Sequence, residues 1–294
     1  MQIAFGMIIF EGDYVLHQCL QQVYPYATQI LIAEGPVKYW QDQGRTKSLD
    51  HSINIIKNFP DPYNKICLVQ GQFSEKDDQA NAYLANIDDD IDYLWNLDSD
   101  EVYSDRNLLA IIEFLKSEQP TSVGVRSCSF YGGFDHVLTG YELKEDNFLR
   151  IFKVVKGSKW LTHRPPTICY PQNRTPTLKH VTSEQLYIET KAFMHHYSYV
   201  FPSQVYKKVN YYKNIISKER CIDDYFKRVY LNWVLGTPVQ KKQIEAAFLG
   251  VHEFKPEFRG ECLPMKFDGE HPEAIAQEME HLTERFKNEL LFYR

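Results

Sequence analysis

The first 130 residues alternate between short apolar runs and amphipathic helical patterns, and this alternation constrains the fold more than any other feature of the sequence. The apolar runs are strand-like and occupy residues 3–10, 29–33, 66–69 and 93–97. Helical patterns follow them, at about residues 15–23, 47–58, 75–87 and 105–117. Strands separated by helices of about ten to fifteen residues predict βαβ crossovers, and therefore a parallel, doubly wound sheet.

The pattern changes after residue 122, where strand-like stretches follow one another directly. Strands are predicted at 122–131, 148–155 and 186–199, and helices at 203–217, 223–235 and 272–292. The predicted fold class is therefore α/β. It has a Rossmann-type, mostly parallel sheet flanked by helices, a more antiparallel second half and a helical C-terminal region.

The net charge of −6 is concentrated in one part of the chain. Residues 75–105 contain eleven acids against the single base Lys76, which gives this stretch −10 and leaves +4 for the rest. A protein that binds nucleic acid in general needs a basic face for the phosphates, so this charge distribution argues against nucleic acid as a partner. It favours one local site for a cation.

Cysteine spacing and hydropathy limit the environment of the chain. The six cysteines lie more than 40 residues apart, which is not the spacing of zinc sites or small disulfide scaffolds, so we predict reduced thiols in the core. No apolar run approaches the roughly 18 residues that span a bilayer. The early run at 3–10 lacks the flanks of a signal peptide. We therefore expect a soluble, cytoplasmic protein without a transmembrane segment.

Ligands of open α/β sheets bind beyond the carboxyl ends of the strands. The loops at these ends are residues 10–13, 34–36, 70–72 and 98–101. The last loop begins with Asp98-Ser99-Asp100, in which the two carboxylates point the same way on an extended backbone. Converging carboxylates repel each other unless a cation lies between them, and oxygen ligands favour Mg²⁺ or Mn²⁺. The alternative is that these acids begin a turn and cap the helix at 105–117.

A strand that ends in Asp-x-Asp after three βα units resembles the GT-A glycosyltransferases, and residues 97–101 resemble their family-2-like members. The resemblance covers roughly residues 1–165 and implies a GT-A-like fold. It implies that Asp98 and Asp100 bind Mn²⁺ or Mg²⁺, with a late histidine as a further ligand, for which His196 is favoured over His195. It also implies a set of nucleotide-binding residues: Phe10, Glu11, Glu34, Gly35, Gln79, Asn81 and Ser99.

The resemblance also implies a division of the chain. Residues 1–130 would bind the nucleotide-sugar, residues 131–200 would form the acceptor and catalytic half of the same GT-A-like domain, and residues 201–294 would be a helical C-terminal region. Candidates for the catalytic base are Glu142, Glu145 and Asp146, which precede the strand at 148–155. The alternative is that these three acids are solvated loop residues without a catalytic role.

An indole, an imidazole and a guanidinium lie within five residues of one another, at Trp160, His163 and Arg164, next to Pro165-Pro166. Such a set can stack on a sugar and hold phosphate or hydroxyl groups, so we predict substrate binding by these three residues. The alternative is a structural role, because a lone histidine near a tryptophan is often a satisfied core residue.

Together these features predict a metal-dependent glycosyltransferase. Its donor would be a nucleotide-diphosphate sugar, with a UDP-sugar as the first candidate. Its acceptor would be a hydroxyl of a saccharide, lipid-linked or protein substrate. Transfer with inversion of configuration at the sugar is favoured. A nucleotidyltransferase is the alternative enzyme, but such enzymes typically open with a Gly-rich loop bearing Arg or Lys, which residues 10–13 lack. A non-catalytic nucleotide- or sugar-binding module is the alternative of another class. Kinases and dehydrogenases are disfavoured, since their phosphate-binding fingerprints are missing from the sequence.

Overall fold

The alternation of strands and helices is present in a computed structural model, which describes residues 1–140, 148–215 and 218–293. The first strands are β1 (Ile3–Ile9), β2 (Gln29–Glu34), β3 (Ile66–Gln70) and β4 (Tyr93–Leu97). The helices that follow them are α1 (Leu16–Val23), α2 (Lys38–Gln41), α3 (Ser52–Asn58), α4 (Lys76–Leu84) and α5 (Asp105–Glu118).

The later strands are mostly short. They are β5 (Glu101–Val102), β6 (Ser122–Gly124), β7 (Ser127–Tyr131), β8 (His136–Leu138), β9 (Leu149–Lys153), β10 (Lys159–His163), β11 (Pro166–Cys169), β12 (His180–Val181), β13 (Met194–Tyr199) and β14 (Pro264–Lys266). The later helices are α6 (Ser183–Thr190), α7 (Pro202–Ile215), a π-helix (Phe226–Leu231), α8 (Asn232–Leu235), α9 (Pro238–Phe248), α10 (Pro256–Arg259), α11 (Glu273–Gln277) and α12 (Met279–Phe292).

Seven strands form one sheet in the order β12-β6-β9-β4-β1-β2-β3. All neighbours in this sheet are parallel except for β9, which is antiparallel to both β4 and β6. Every residue of β4 is buried, as expected for a central strand covered by helices on both faces. Helix α4 packs closely on β1, because a Cβ at Gly6 would lie 2.6 Å from the Tyr83 ring. The predicted α/β class with a mostly parallel sheet flanked by helices is confirmed.

The described residues divide into two compact units, and each is discontinuous in sequence. The first unit contains residues 1–126 and 148–194, and the second contains residues 127–140 and 195–293. In the second unit, strands lie in one sheet in the order β14-β8-β7-β13. Its core is rich in aromatic side chains and also contains Leu138 and Leu290. The predicted functional division at residues 130 and 200 stays a prediction.

Two of the predicted strands are wrong in part. The stretch 186–199 contains helix α6 before strand β13, because Thr182 and Gln185 form a capping box and Lys191 ends the helix in a left-handed conformation. The stretch 122–131 forms two strands that belong to different sheets, β6 and β7.

Several helix boundaries also differ from the prediction. Helix α3 begins at Ser52 and not at residue 47, because the preceding residues bind neighbouring loops. The predicted helix at 223–235 contains the π-helix and α8, and the one at 272–292 is divided into α11 and α12. Helix α9 was not predicted, although Thr237 and Gln240 form a capping box at its start and Pro238 is its first residue.

Among the described residues none of the six cysteines is joined in a disulfide, in agreement with the predicted reduced thiols. They are not all core residues, since Cys169 is exposed and Cys67 is only partly buried. Burial raises the pKa of Cys128 to about 12, which makes this thiol unreactive. Within the described ranges, none of the helices has the length and apolar character needed to cross a membrane.

Candidate functional site

The loop that follows β4 presents the two carboxylates of the Asp-x-Asp motif. Asp98 comes directly after the strand, and Asp98, Ser99 and Asp100 are all partly exposed. The Glu101 backbone N–H donates to the Asp98 carbonyl at 3.1 Å, which closes the loop into a turn. The motif therefore lies at a carboxyl end of the sheet, where ligands of this fold class bind.

Ser99 brings the loop after β4 together with the loop after β1. A Cβ at Gly12 would lie 2.3 Å from Ser99 Oγ, so the two loops touch and a larger residue at position 12 would displace the Ser99 side chain. The strand-end loops at 10–13 and 98–101, where a ligand is predicted to bind, are therefore neighbours in the structure.

Arg150, on β9, binds carboxylates of the loop after β4. It was not predicted as a site residue. Its Nε donates to Glu101 Oε1 and Oε2 at 3.0 and 2.9 Å, and its Nη2 donates to Asp98 Oδ2 at 2.9 Å. Burial alone would lower the pKa of Arg150, but the carboxylates of Glu101 and Asp98 raise it above its ordinary value. The guanidinium therefore stays charged. An arginine within the otherwise apolar run of residues 149–152 is the sequence signal that could have identified it.

His163 lies on the hairpin β10–β11 beside the start of helix α4. Its side chain is only 7% exposed, and its backbone N–H donates to the Asp77 carboxylate. Burial, together with the positive charges of Lys76 and Arg164, lowers the pKa of His163 to about 3, although Asp98 acts in the opposite direction. Among the described residues, His163 Nδ1 finds no hydrogen-bond partner. The structure thus brings a neutral imidazole into electrostatic range of Asp98, Lys76 and Arg164.

Trp160 is a core residue of the first unit and does not fit the predicted role of stacking on a sugar. It is 3% exposed, and its indole N–H donates to the Tyr83 hydroxyl at 3.0 Å. Its ring packs edge-on against Phe152 with centroids 5.1 Å apart. No face of the indole is open to a ligand, because helix α4 and strand β9 cover it.

Glu34 was predicted to contact ribose or base, but it is 1% exposed and binds protein groups instead. It accepts hydrogen bonds from Ser48 Oγ at 2.6 Å and from the Ser48 backbone N–H at 3.2 Å, and Gln70 Nε2 donates to its other oxygen at 3.1 Å. Gly35 follows it with φ of +149°, where a Cβ would lie 1.8 Å from the Gly71 carbonyl oxygen. Both residues therefore shape the loop rather than face a ligand.

Two polar side chains of helix α4 that were predicted to contact the nucleotide have structural partners in the protein. Gln79 Nε2 donates to the carbonyls of Ile9, Ala33 and Gly35 at 2.9–3.2 Å, which ties the ends of β1 and β2 together. Asn81 pairs with the backbone N–H and carbonyl of Trp160, each at 2.9 Å.

The segment 45–52 is bound to the loop after β1. The backbone N–H groups of Glu11 and Gly12 donate to the hydroxyls of Ser48 and Ser52, each at 3.0 Å. Glu11 also forms an ion pair with Arg45, and it adopts a left-handed conformation with φ of 57°. Glu11 therefore fixes this segment, and its carboxylate already has a cationic partner.

Phe10 belongs to a half-exposed aromatic group at the same edge of the sheet. Its ring lies 5.6 Å from that of Trp40, and the Arg45 guanidinium lies over the Phe10 ring at 5.5 Å. Tyr39 packs edge-on against Trp40 with centroids 4.9 Å apart. Flat rings and a cation at a strand end are suited to a nucleobase. Trp40 and Arg45 were not predicted, because the sequence does not show which loop residues will meet Phe10.

The remaining predicted residues stay predictions. His196 belongs to the second unit, where its Nδ1 lies 3.5 Å from Ser127 Oγ. The predicted base candidates Glu142, Glu145 and Asp146 lie outside the described residues.

The donor set at Asp98 and Asp100 fits a hard divalent cation. Within the described ranges, no three or more His, Cys, Asp or Glu side chains are grouped to hold a metal ion. Mg²⁺ is often held by only one or two carboxylates together with substrate phosphates and water, so two carboxylates are sufficient for this kind of site. Both side chains are partly exposed and offer only oxygen atoms.

Comparisons with known proteins give structural neighbours only. No protein-family model matches the chain, and no curated protein matches it. Residues 1–349 of S. aureus TarS are 10% identical, with 84% of this chain and 72% of that chain covered and a TM-score of 0.43. The same TarS segment in complex with UDP-GlcNAc is 10% identical, with 85% and 80% covered and a TM-score of 0.42.

A third solved structure is 4-diphosphocytidyl-2C-methyl-D-erythritol synthase from Anaerococcus prevotii DSM 20548. It is 13% identical, with 66% of this chain and 89% of that chain covered and a TM-score of 0.30. The TM-scores of all three structures are below 0.5.

Proposed function

We propose that this protein is a glycosyltransferase that uses a nucleotide-diphosphate sugar as its donor. The observation that carries the proposal is the position of Asp98 and Asp100, which follow a buried central strand and lie in a loop that touches the loop after β1. A pair of exposed carboxylates at this edge of an α/β sheet suits a cation that accompanies a diphosphate.

The nucleoside would lie at the group formed by Phe10, Trp40 and Arg45. Half-exposed rings offer a face for a nucleobase, and the guanidinium can bind a carbonyl oxygen or phosphate. A uridine nucleotide is the first candidate. UDP and UDP-GlcNAc, with which TarS chains have been crystallised, are convenient first compounds to test.

Asp98 and Asp100 would hold Mn²⁺ or Mg²⁺, and His196 is proposed as a further ligand. When bound, such an ion stabilises the negative charge that develops on a departing diphosphate. Lys76, Arg164 and Asp98 all lie in electrostatic range of His163, and the two cations are proposed to bind phosphate oxygens of the donor. His163 has a pKa of about 3 and is therefore a poor base at neutral pH, so it would bind a hydroxyl or phosphate oxygen.

The acceptor hydroxyl would be deprotonated by a carboxylate, for which Glu142, Glu145 and Asp146 are the candidates. Direct displacement with such a base would invert the configuration at the sugar. A saccharide, a lipid-linked sugar or a protein hydroxyl is the proposed acceptor.

The test is a product analysis with UDP-GlcNAc and other nucleotide sugars, in the presence and absence of Mn²⁺. Release of the nucleoside diphosphate together with a glycosylated or hydrolysed sugar supports the proposal. Asp98→Ala and Asp100→Ala should abolish this release, whereas Asp90→Ala, which removes an exposed acid outside the site, should not. Release of pyrophosphate from a nucleoside triphosphate and a sugar phosphate would show a nucleotidyltransferase instead.

A further inference from the structure

Arg150 and Glu101 form a buried ion pair beneath the Asp-x-Asp loop, and none of the steps proposed above uses either residue directly. Both side chains are almost inaccessible, whereas the Asp98 side chain is 32% exposed. The guanidinium binds both Glu101 oxygens through Nε and reaches Asp98 through Nη2. Of the three charged groups, Asp98 is the one that solvent or a ligand can reach.

The pair binds the backbone of Asp98 as well as its side chain. Glu101 Oε2 accepts a hydrogen bond from the Asp98 backbone N–H at 3.2 Å, and the Glu101 N–H donates to the Asp98 carbonyl at 3.1 Å. Asp98 is therefore held at its N–H, its carbonyl and one carboxylate oxygen. These contacts leave little freedom for its side chain to rotate.

Stability alone does not explain such an arrangement. Desolvating two charges costs about as much as their attraction returns, and well-packed apolar residues of similar size often serve a fold equally well. A planar guanidinium, in contrast, fixes the direction of the groups that it binds through several donors at once. Geometry, rather than stability, is what this pair supplies to Asp98.

We propose that Arg150 and Glu101 are positioning residues, which hold the Asp98 carboxylate in the single orientation that the donor requires. This inference rests on the proposed function, since it assumes that Asp98 contacts the nucleotide-sugar or its cation. Arg150 acts only through Asp98 and does not touch the substrate.

The test compares Arg150→Lys and Glu101→Gln with the wild type. Arg150→Lys keeps the positive charge but loses the planar guanidinium, whose several N–H donors bind two carboxylates. We expect kcat/KM for sugar transfer to fall about 10–100-fold, as is typical when a residue that orients a ligand-binding group is changed. We expect the affinity for UDP alone, measured by calorimetry without metal, to fall by a smaller factor. Arg126→Lys is the matched control, because Arg126 lies over the Tyr187 ring in the same unit.

A double-mutant cycle separates positioning from a structural role. If Arg150 acts through Asp98, then Arg150→Lys should change the affinity for UDP with Mn²⁺ by less than about twofold in an Asp98→Asn background. A structural role predicts that the two losses multiply. The inference would be overturned if the two losses multiply. It would also be overturned if Arg150→Lys has the same activity per folded molecule as Arg126→Lys.

Three further outcomes also decide the matter. If Arg150→Lys and Glu101→Gln both fail to fold, the pair serves the fold and the inference is wrong. If the wild type transfers no sugar from any nucleotide donor, the proposed function itself fails, and the inference falls with it. If the wild type is active and Arg150→Lys has normal activity, the inference is wrong but the proposed function stands.

Discussion

His163 stays neutral at physiological pH because burial makes its charged form unfavourable. Its folded pKa, about 3, lies below the ordinary value of 6.5. The unfolded chain therefore binds a proton at this residue over a pH range in which the folded chain does not. Stability linked to His163 is complete above pH 6.5 and is lost as the pH falls from 6.5 towards 3.

His163→Gln should remove this part of the acid sensitivity. The wild-type free energy of unfolding should fall with a slope of at most about 1.4 kcal/mol per pH unit from this group, and the variant should lack that slope. Urea unfolding at several pH values between 7.5 and 4 measures it. His180→Gln is the control, because His180 is exposed. Equal slopes in wild type and His163→Gln would contradict the assignment.

Trp160→Ala should act on stability rather than on the sugar. Deleting a buried indole from a core costs about 3–5 kcal/mol, so the melting temperature should fall strongly. Nucleotide affinity and transfer rate should then decrease in parallel with the folded fraction. Trp160→Phe should retain most of the packing and lose the hydrogen bond to Tyr83. Loss of transfer at unchanged stability and nucleotide affinity would restore the sugar-stacking role.

At the scale of elements, the strands and the loops that follow them were predictable, but the partners within the loops were not. Asp98 and Asp100 could be found because a fully buried strand is followed by acids, a local pattern. Glu34 could not be assigned correctly, because its partner Ser48 comes from a segment that looked helical. Arg150 meets Glu101 only because β9 pairs antiparallel with β4, with Trp95 opposite Ile151. Such a pairing brings together residues about 50 positions apart, such as Arg150 and Glu101, which local patterns do not report.

Ser48→Ala should loosen the segment 45–52. The change removes the hydroxyl that links Glu34 to the Glu11 backbone, and it leaves the buried Glu34 carboxylate with fewer donors. We expect a loss of about 1–3 kcal/mol of stability, because an unsatisfied buried polar group is costly. We also expect weaker UDP binding, since Arg45 lies on this segment.

Denaturant unfolding and calorimetry measure these two effects. Ser117→Ala is the matched control, because its hydroxyl donates to the Phe114 carbonyl within helix α5. Unchanged UDP affinity in folded Ser48→Ala would separate this segment from the nucleotide site.

At the scale of the whole molecule, donor binding should be visible as thermal stabilisation. A ligand that binds only the folded state adds about 2.7 kcal/mol at one hundred times its dissociation constant. UDP with Mn²⁺ should therefore raise the melting temperature more than UDP alone. In Asp100→Ala this extra rise should vanish, whereas Asp90→Ala should keep it. An equal metal-dependent rise in Asp100→Ala would remove Asp100 from the cation site.

The discontinuity of the second unit has a consequence for synthesis on the ribosome. Tyr131 and Leu138 belong to the same core as Leu290, which emerges about 160 residues later. At roughly 5–20 residues per second, the early aromatic strand waits about ten to thirty seconds for its last partners. During that time its apolar side chains are open to chaperones and to other nascent chains. Slowed translation of the last helices should therefore lower the yield of native protein without changing its sequence.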